Sequence, residues 1–361
     1  MLPYFLFVFL PLLAWIISPR YRLTVNGKPL SETKTLPIDL FMLIFLLLLA
    51  LRGLSCGNDT VQYERLYHQY GRLGLKQILH TYDHELGFKL FCKAVYVTAN
   101  HFQILLAITA AVCVCPLWYL YRRESEIQPL TMVLFLSVAP FVMYFSGIRQ
   151  AMAMSLGIFA WYAARARKPV QFLLVVFLAI QFHNSAFLLL LLYPLYRAKI
   201  TKKWLWFVVP CMLTVYVLRA TIFSYLMTLL WEEYETTPST GATTILLLLI
   251  LFSVYSYVIP NEKELDQDII AMRNILLLSV VLQIFAMLHP LSMRMNYYFL
   301  LFVPILIPKI AKRSKAGFSQ VARLSAVIMT VYFMYYFLIN GINDNDALNI
   351  FPYIPFWENL T

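Results

Sequence analysis

Long apolar runs separated by short polar breaks dominate this chain. They fall at 2–17, 36–51, 102–120, 130–145, 149–164, 170–182, 185–196, 204–218, 242–259, 269–288, 296–310 and 321–340. A helix perpendicular to a bilayer needs about 20 apolar residues, and several of these runs are shorter. Read as spans, they predict an all-α integral membrane protein of about twelve transmembrane helices, within a range of about 10–14. The tight pair 170–182 and 185–196 fits a helical hairpin, two tilted spans or a re-entrant pair. The largest interruption is 52–101. Within it Leu86, Leu90, Ala94 and Val97 recur three or four residues apart, which predicts an amphipathic helix lying at the membrane interface. Lys89 and Lys93 on the same helix argue against a further span. A second loop, 219–241, carries Glu232, Glu233 and Glu235. No internal repeat is visible, so 1–361 reads as a single polytopic membrane domain.

Composition fits that picture. The 361 residues are 61% hydrophobic and 13% charged, where a soluble domain carries roughly 25% charged residues. The net charge of +11 resides in alternate loops. Arg20, Arg22, Lys28 and Lys34 follow the first run; Arg122 and Arg123 follow the third; Arg165, Arg167 and Lys168 follow the fifth. Arg197, Lys199, Lys202 and Lys203 follow the seventh, and Lys309, Lys312, Arg313 and Lys315 follow the eleventh. The positive-inside rule places these loops in the cytoplasm and both termini outside, and implies no nucleic-acid patch. The 261–268 loop is mixed in charge. The first run lacks a basic leader and a small-residue cleavage site, so it reads as a retained span rather than a removed signal peptide. The five cysteines (Cys56, Cys92, Cys113, Cys115 and Cys211) fall mostly inside apolar runs with no paired spacing, and Cys113-Val-Cys115 reads as small buried hydrophobes rather than a metal motif. No P-loop, HExxH or nucleophile elbow is present, which removes ATP hydrolysis, zincin and α/β-hydrolase readings. No cofactor or metal is expected; Glu232-Glu233 is the only weak acidic pair and reads better as a solvated loop.

Unusual polar residues gather on the other face. All six histidines, Arg149, Arg294 and the Asp59 turn map there, and ionisable groups at a bilayer edge are costly unless they serve a purpose. Gly57 and Asn58 suit a sharp turn, after which Asp59 or Thr60 is placed to cap a helix; Asp59 reads equally as a cap or as a reactive carboxylate. Tyr63 and Tyr67, four apart, share a helix face. Arg149-Gln150 opens an apolar run, where a cation opposes the helix dipole. Arg149 together with free backbone N–H groups fits an anion such as phosphate, the alternative being snorkelling to the interface. His183-Asn184-Ser185 interrupts two runs, and His183 is open to three roles: general base, donor to a phosphate oxygen, or turn residue. Arg294-Met-Asn296-Tyr297-Tyr298 follows His289-Pro290 and repeats the placement of Arg149, so the two arginines are expected at equivalent starts of spans, matched to two phosphoryl groups.

These residues resemble a known family. Gly57-Asn-Asp59-Thr-x-x-Tyr63, Glu85-x-Gly87, Arg149-Gln150, His183-Asn-Ser185 and Arg294-x-Asn-x-Tyr298 are similar, in order and sidedness, to marks of the EpsG/Wzy-type polysaccharide polymerases. The resemblance implies a multi-pass protein of the bacterial inner membrane that joins undecaprenyl-pyrophosphate-linked oligosaccharide repeat units at the outer face. The product is an O-antigen, capsule or exopolysaccharide, and neither metal nor nucleotide sugar is needed. It implies that Arg149 and Arg294 bind the pyrophosphate, and that His183, Asp59 or Glu85 accepts the proton of the attacking hydroxyl. Gln150, Asn184, Tyr63, Tyr67, Asn296, Tyr297 and Tyr298 then contact substrate. A flippase and a chain-length regulator are the implied partners, besides membrane lipids. Two other classes compete. A multispan sugar O-acyltransferase draws its acyl donor from the cytoplasm, where this chain has no histidine. A lipid-linked sugar transporter tends to place charges mid-span and to show repeats.

Overall fold

The computed structural model describes residues 2–17, 24–25, 28–29, 35–81, 83–138, 140–230, 241–343 and 349–360. Glu232, Glu233 and Glu235, and the basic residues Arg20, Arg22 and Lys34, lie outside them. The chain divides into two compact units, Met1–Phe187 with Val327–Thr361, and Leu188–Ala326.

The first unit opens with α1 (Leu2–Ile17), then two-residue strands β1 (Thr24–Val25) and β2 (Lys28–Pro29), then α2 (Leu36–Ala50). The strands pair antiparallel, Val25 opposite Lys28, a small departure from the all-helical expectation. The 52–101 segment folds into α3 (Thr60–Arg72), α4 (Leu75–His80) and α5 (Leu86–Ala99). The chain continues as α6 (Phe102–Glu124), α7 (Gln128–Ser137), α8 (Met143–Ser146), α9 (Ile148–Arg165) and α10 (Pro169–Ile180). Prolines at the first turns of α2, α7 and α10 start helices where a missing N–H costs nothing. Pro140 does the opposite. It has no N–H to carry a helix onward, and the run 130–145, expected as one span, is broken into α7 and α8 around it. An aromatic core holds the unit together: Phe7 stacks on Phe41 at 4.4 Å, and Phe45 meets Phe135 edge-on at 5.3 Å.

The second unit begins in a 3-10 helix, Asn184–Leu191, and continues as α11 (Leu192–Arg197), α12 (Leu205–Val217), α13 (Arg219–Leu230) and α14 (Ala242–Val258). It ends with α15 (Gln267–Ala286), α16 (Pro290–Leu300), α17 (Val303–Lys312) and the start of α18 (Ser319–Ile342), which leads back to the first unit. The long apolar α15 is its centre. Polar groups at the start of α15 fasten α11: Asp268 accepts from the Tyr196 hydroxyl at 2.7 Å, and Asn274 donates to the carbonyls of Leu195 and Ala198. Arg273 is fully buried, yet its charge is met by Glu262 at 3.0 Å and by the face of Tyr257 at 4.2 Å.

Among the described residues, three helical stretches are long and apolar enough to cross a membrane: Phe102–Glu124, Gln267–Ala286 and Ala316–Ile342. Two bent pairs raise this to five if each is one span: Asn184–Arg197 with Lys202–Val217 at 120°, and α16 with α17 at 49°. Shorter apolar helices, among them α1, α2 and α14, fall below that length. The tight 170–196 pair thus resolves into α10 and a separate 3-10/α11 segment, Asn184–Arg197, after which the chain bends by 120° into Lys202–Val217.

On α5 the apolar stripe expected from its spacing faces away from the protein. Phe88, Cys92 and Val95 are buried, while Leu90 and Val97 of the predicted stripe are exposed, Val97 at 68%. Lys89 and Lys93 point inward, and their ammonium groups donate to the carbonyls of Thr81 and Gly71, fastening α5 to the helices before it.

Candidate functional site

Two glycines bring separate stretches of the first unit into contact. Gly57 adopts φ +94°, and a Cβ there would lie 2.4 Å from the Phe145 carbonyl oxygen. Only glycine lets the turn before α3 rest on the backbone that leads into α9. The same turn is held from its other side, where the Gly57 N–H donates to the Asn349 carbonyl at 2.8 Å and Asn349 Nδ2 donates to Asn58 Oδ1 at 2.6 Å. At Gly87 a Cβ would meet the Gln181 carbonyl oxygen at 2.7 Å. Its absence lets the first turn of α5 abut the end of α10, and the Phe88 N–H donates to that carbonyl at 3.2 Å.

These contacts converge on Glu85, the residue before α5. Its Oε2 accepts from Arg149 Nη1 at 2.5 Å, and its Oε1 accepts from the Asn184 backbone N–H at 2.9 Å. The side chains are 7% and 22% exposed for Glu85 and Arg149. The Arg149 guanidinium lies over the Phe88 ring at 5.9 Å, with the Tyr63 ring edge-on to Phe88 at 5.7 Å and the Tyr63 hydroxyl within hydrogen-bonding reach of the guanidinium. Arg149 Nε is buried with no hydrogen-bond partner among the described residues, a donor left for something else. Burial opposes ionisation of Glu85, but the Arg149 charge, the Asn184 N–H and the nearby His183 outweigh it and hold the carboxyl below its ordinary range. Burial pushes the Tyr63 phenol up against the pull of Arg149, so it stays neutral.

His183 sits beside this pair. Its Nδ1 accepts from the Ser185 N–H at 3.3 Å and lies 2.7 Å from the Ser185 hydroxyl. The same arrangement recurs twice: Nδ1 of His101 accepts from the Gln103 N–H at 3.2 Å, and Nδ1 of His289 from the Leu291 N–H at 3.0 Å. Histidine caps were not anticipated, since the usual cap signal is Ser, Thr, Asp or Asn. With Nδ1 accepting, the neutral ring carries its proton on Nε2 and acts there as a donor.

The other expected residues are placed less uniformly. Asp59 precedes α3 but makes no side-chain cap; Thr60 instead donates to the Cys56 carbonyl at 2.7 Å. Asp59 is half-buried, and its charge reaches Tyr63. Tyr67 is buried against Tyr96 and Phe102, so its ring supports α3 rather than an open surface. Gln150 is also buried. In the second unit, Asn296 is buried and donates to the Ser279 carbonyl and Gln283 Oε1, and Tyr298 is buried beside it. Tyr297 is half-buried and Arg294 exposed. Arg294 is not at a helix start: α16 begins at Pro290 with His289 as cap, so Arg294 lies in its second turn, whereas Arg149 is the second residue of α9. The expected equivalence of the two arginines is therefore corrected. Burial and the Arg294 charge both lower the His289 pKa.

The first unit thus gathers a guanidinium, a backbone N–H and a phenol around one carboxylate, in a chain with several membrane-length apolar helices. The membrane-length apolar helices mark a multi-pass membrane protein. The chain belongs to the EpsG family, which it matches over residues 38–354. No curated protein and no solved structure matches it.

Proposed function

We propose that this chain is a polymerase of lipid-linked repeat units, a glycosyltransferase acting at the outer face of the bacterial inner membrane. In this reading the apolar runs make about twelve spans, the shorter ones tilted or bent. The 52–101 segment lies outside, with the exposed Leu90–Val97 stripe of α5 against the interface. The growing chain passes from its undecaprenyl pyrophosphate onto a hydroxyl of the incoming unit, and a flippase and a chain-length regulator work beside it.

The observation that carries this reading is the anion seat at Arg149. A pyrophosphate oxygen takes the place of the Glu85 carboxylate and meets the guanidinium, the Asn184 N–H and the Tyr63 hydroxyl. Charge developing on the leaving group is offset by donors already in position. His183, with Nδ1 held by Ser185, donates from Nε2 to a second phosphoryl oxygen, one of the roles its sequence position left open. On the strength of the family motif alone, Arg294 retains a phosphoryl-binding role, and Gln150, Tyr67, Asn296, Tyr297 and Tyr298 retain their roles as substrate contacts. His183, Asp59 and Glu85 are the proton acceptors that the motif nominates. Both Glu85 oxygens are engaged, by Arg149 and the Asn184 N–H, and its basicity is lowered there, so it serves first to hold Arg149.

The test is Arg149→Ala in a strain lacking the native protein. Surface glycan limited to single repeat units, with the variant still in the membrane, is the expected result. Arg149→Lys should rescue poorly, because a point charge cannot reproduce a planar fork. Wild-type chain length from Arg149→Ala would remove the anion-seat reading, and loss of all surface glycan would favour a flippase.

A further inference from the structure

A second polar cluster in the 52–101 segment has no part in the reaction so far. The buried Tyr70 of α3 places its hydroxyl 2.7 Å from Asp83 Oδ2 and 2.6 Å from His84 Nδ1, and the imidazole and carboxylate are 3.4 Å apart. The tautomer of His84 follows from counting protons. A phenol carries one, and an ionised carboxylate can only accept, so the Tyr70 proton goes to Asp83. The short contact to His84 is then a hydrogen bond only if Nδ1 donates it. Burial opposes ionisation of Asp83, but the Tyr70 and His84 hydrogen bonds outweigh it and keep the group charged. The neutral His84 ring therefore carries its lone pair on Nε2. This is the reverse of His101, His183 and His289, each of which accepts a backbone N–H at Nδ1. No hydrogen bond engages His84 Nε2 among the described residues, and the side chain is 16% exposed, enough for the ring edge to be reached.

Position adds to chemistry. His84 is the chain neighbour of Glu85, the residue seated on Arg149, and the Arg149 charge is felt at the Tyr70 phenol. We propose that His84 accepts the proton of the attacking sugar hydroxyl, with Tyr70 and Asp83 as positioning residues that fix its tautomer and steady the imidazolium. The proposal rests on the polymerase reading above. In the step, the hydroxyl O–H bond breaks and its proton passes to Nε2. The oxygen bonds to the anomeric carbon of the growing chain, and the anomeric C–O bond breaks with its electron pair leaving on the pyrophosphate. The arrangement matches other histidine bases, whose second nitrogen is oriented by a carboxylate, here relayed through a phenol.

Two measurements on the full-length protein test this. In detergent micelles with 15N-labelled histidine, the His84 signals, assigned by their loss in His84→Gln, should show the bonded proton on Nδ1; a neutral ring protonated on Nε2 overturns the proposal. In vesicles carrying lipid-linked repeat units from the producing strain, His84→Gln should slow elongation about 10²–10⁴-fold, the usual contribution of a general base. Farnesyl pyrophosphate, as a short-tailed probe of the anion seat, should still bind. Tyr70→Phe keeps the ring's bulk and cuts the relay. It should slow elongation and move the acid limb of the pH–rate profile to lower pH, because the imidazolium loses support while Glu85 and Arg149 remain nearby. Wild-type elongation by His84→Gln, or an unmoved profile in Tyr70→Phe, overturns the role of His84. Elongation that survives Arg149→Ala removes the anion seat alone, whereas wild-type protein that makes no chain longer than one unit in these vesicles sinks the polymerase reading itself, so the failures are distinguishable.

Discussion

Replacing Glu85 by alanine or glutamine separates its charge from its shape. Alanine removes both hydrogen bonds, the one from Arg149 at 2.5 Å and the one from the Asn184 N–H at 2.9 Å. A hydrogen bond to a charged partner contributes about 1.5–3 kcal/mol. The Arg149 side chain is 22% exposed, so water replaces part of what is lost and the sum falls near the lower end, about 3 kcal/mol. Glutamine keeps an oxygen for the Asn184 N–H and loses the charge toward Arg149, at a cost of about 1.5–3 kcal/mol. At about 2–4 °C per kcal/mol, alanine should lower the unfolding temperature by roughly 6–12 °C and glutamine by less. The buried thiols of Cys56, Cys92 and Cys113 report unfolding through a thiol-reactive fluorophore, once the exposed Cys115 and Cys211 are replaced. Acid supplies the second arm. The Glu85 pKa is depressed in the folded protein, so its contribution is complete above the ordinary value of 4.5 and is lost as pH falls through the folded value. Wild type and Glu85→Gln should therefore differ at neutral pH and converge in acid. Equal unfolding temperatures at pH 7, or a gap that acid leaves unchanged, would refute the account of Glu85 as the ionised holder of Arg149.

Gly57→Ala should cost about 1–2 kcal/mol for a left-handed non-glycine residue and about 1–3 kcal/mol more for the methyl pressed on the Phe145 carbonyl. Its thermal unfolding and surface-glycan length should both fall, and wild-type values in both would show that the turn tolerates a side chain. Single cysteines at positions 197–203 should resist an impermeant maleimide in intact cells, and labelling there would reverse the assigned orientation.

Helix positions were largely legible in the residues. The runs at 2–17 and 36–51 became α1 and α2 almost residue for residue, because proline starts and apolar composition act locally. What the residues left open was which environment lies opposite each face. On α5 the stripe Leu90–Val97 is apolar and so is Phe88–Val95, and periodicity alone cannot tell a face against protein from a face against lipid. Arg294 lies further into its helix than expected because α16 starts at Pro290, whose ring suits a first helical position. At the site, Glu85-x-Gly87 and His183-Asn-Ser185 drew notice as motifs, yet their pairing depends on a close approach at Gln181 that no spacing announces. The cluster of Tyr70 with Asp83 and His84 went unseen for the same reason: it spans two elements, and its meaning lies in who donates to whom.

The turn carrying Gly57 and Asn58 is tied to Asn349, and the Tyr4 hydroxyl donates to the Ile350 carbonyl. These partners are 291 and 346 residues apart in sequence. At a synthesis rate of roughly 5–20 residues per second, the turn waits about 15–60 s for the strand of chain that completes it. Through that interval the 52–101 segment stands made but unfastened while the second unit is still being inserted. The turn that rests on the chain leading into α9 is thus among the last parts of the protein to be fastened, and a stalled or prematurely released chain would carry its helices with that turn unset.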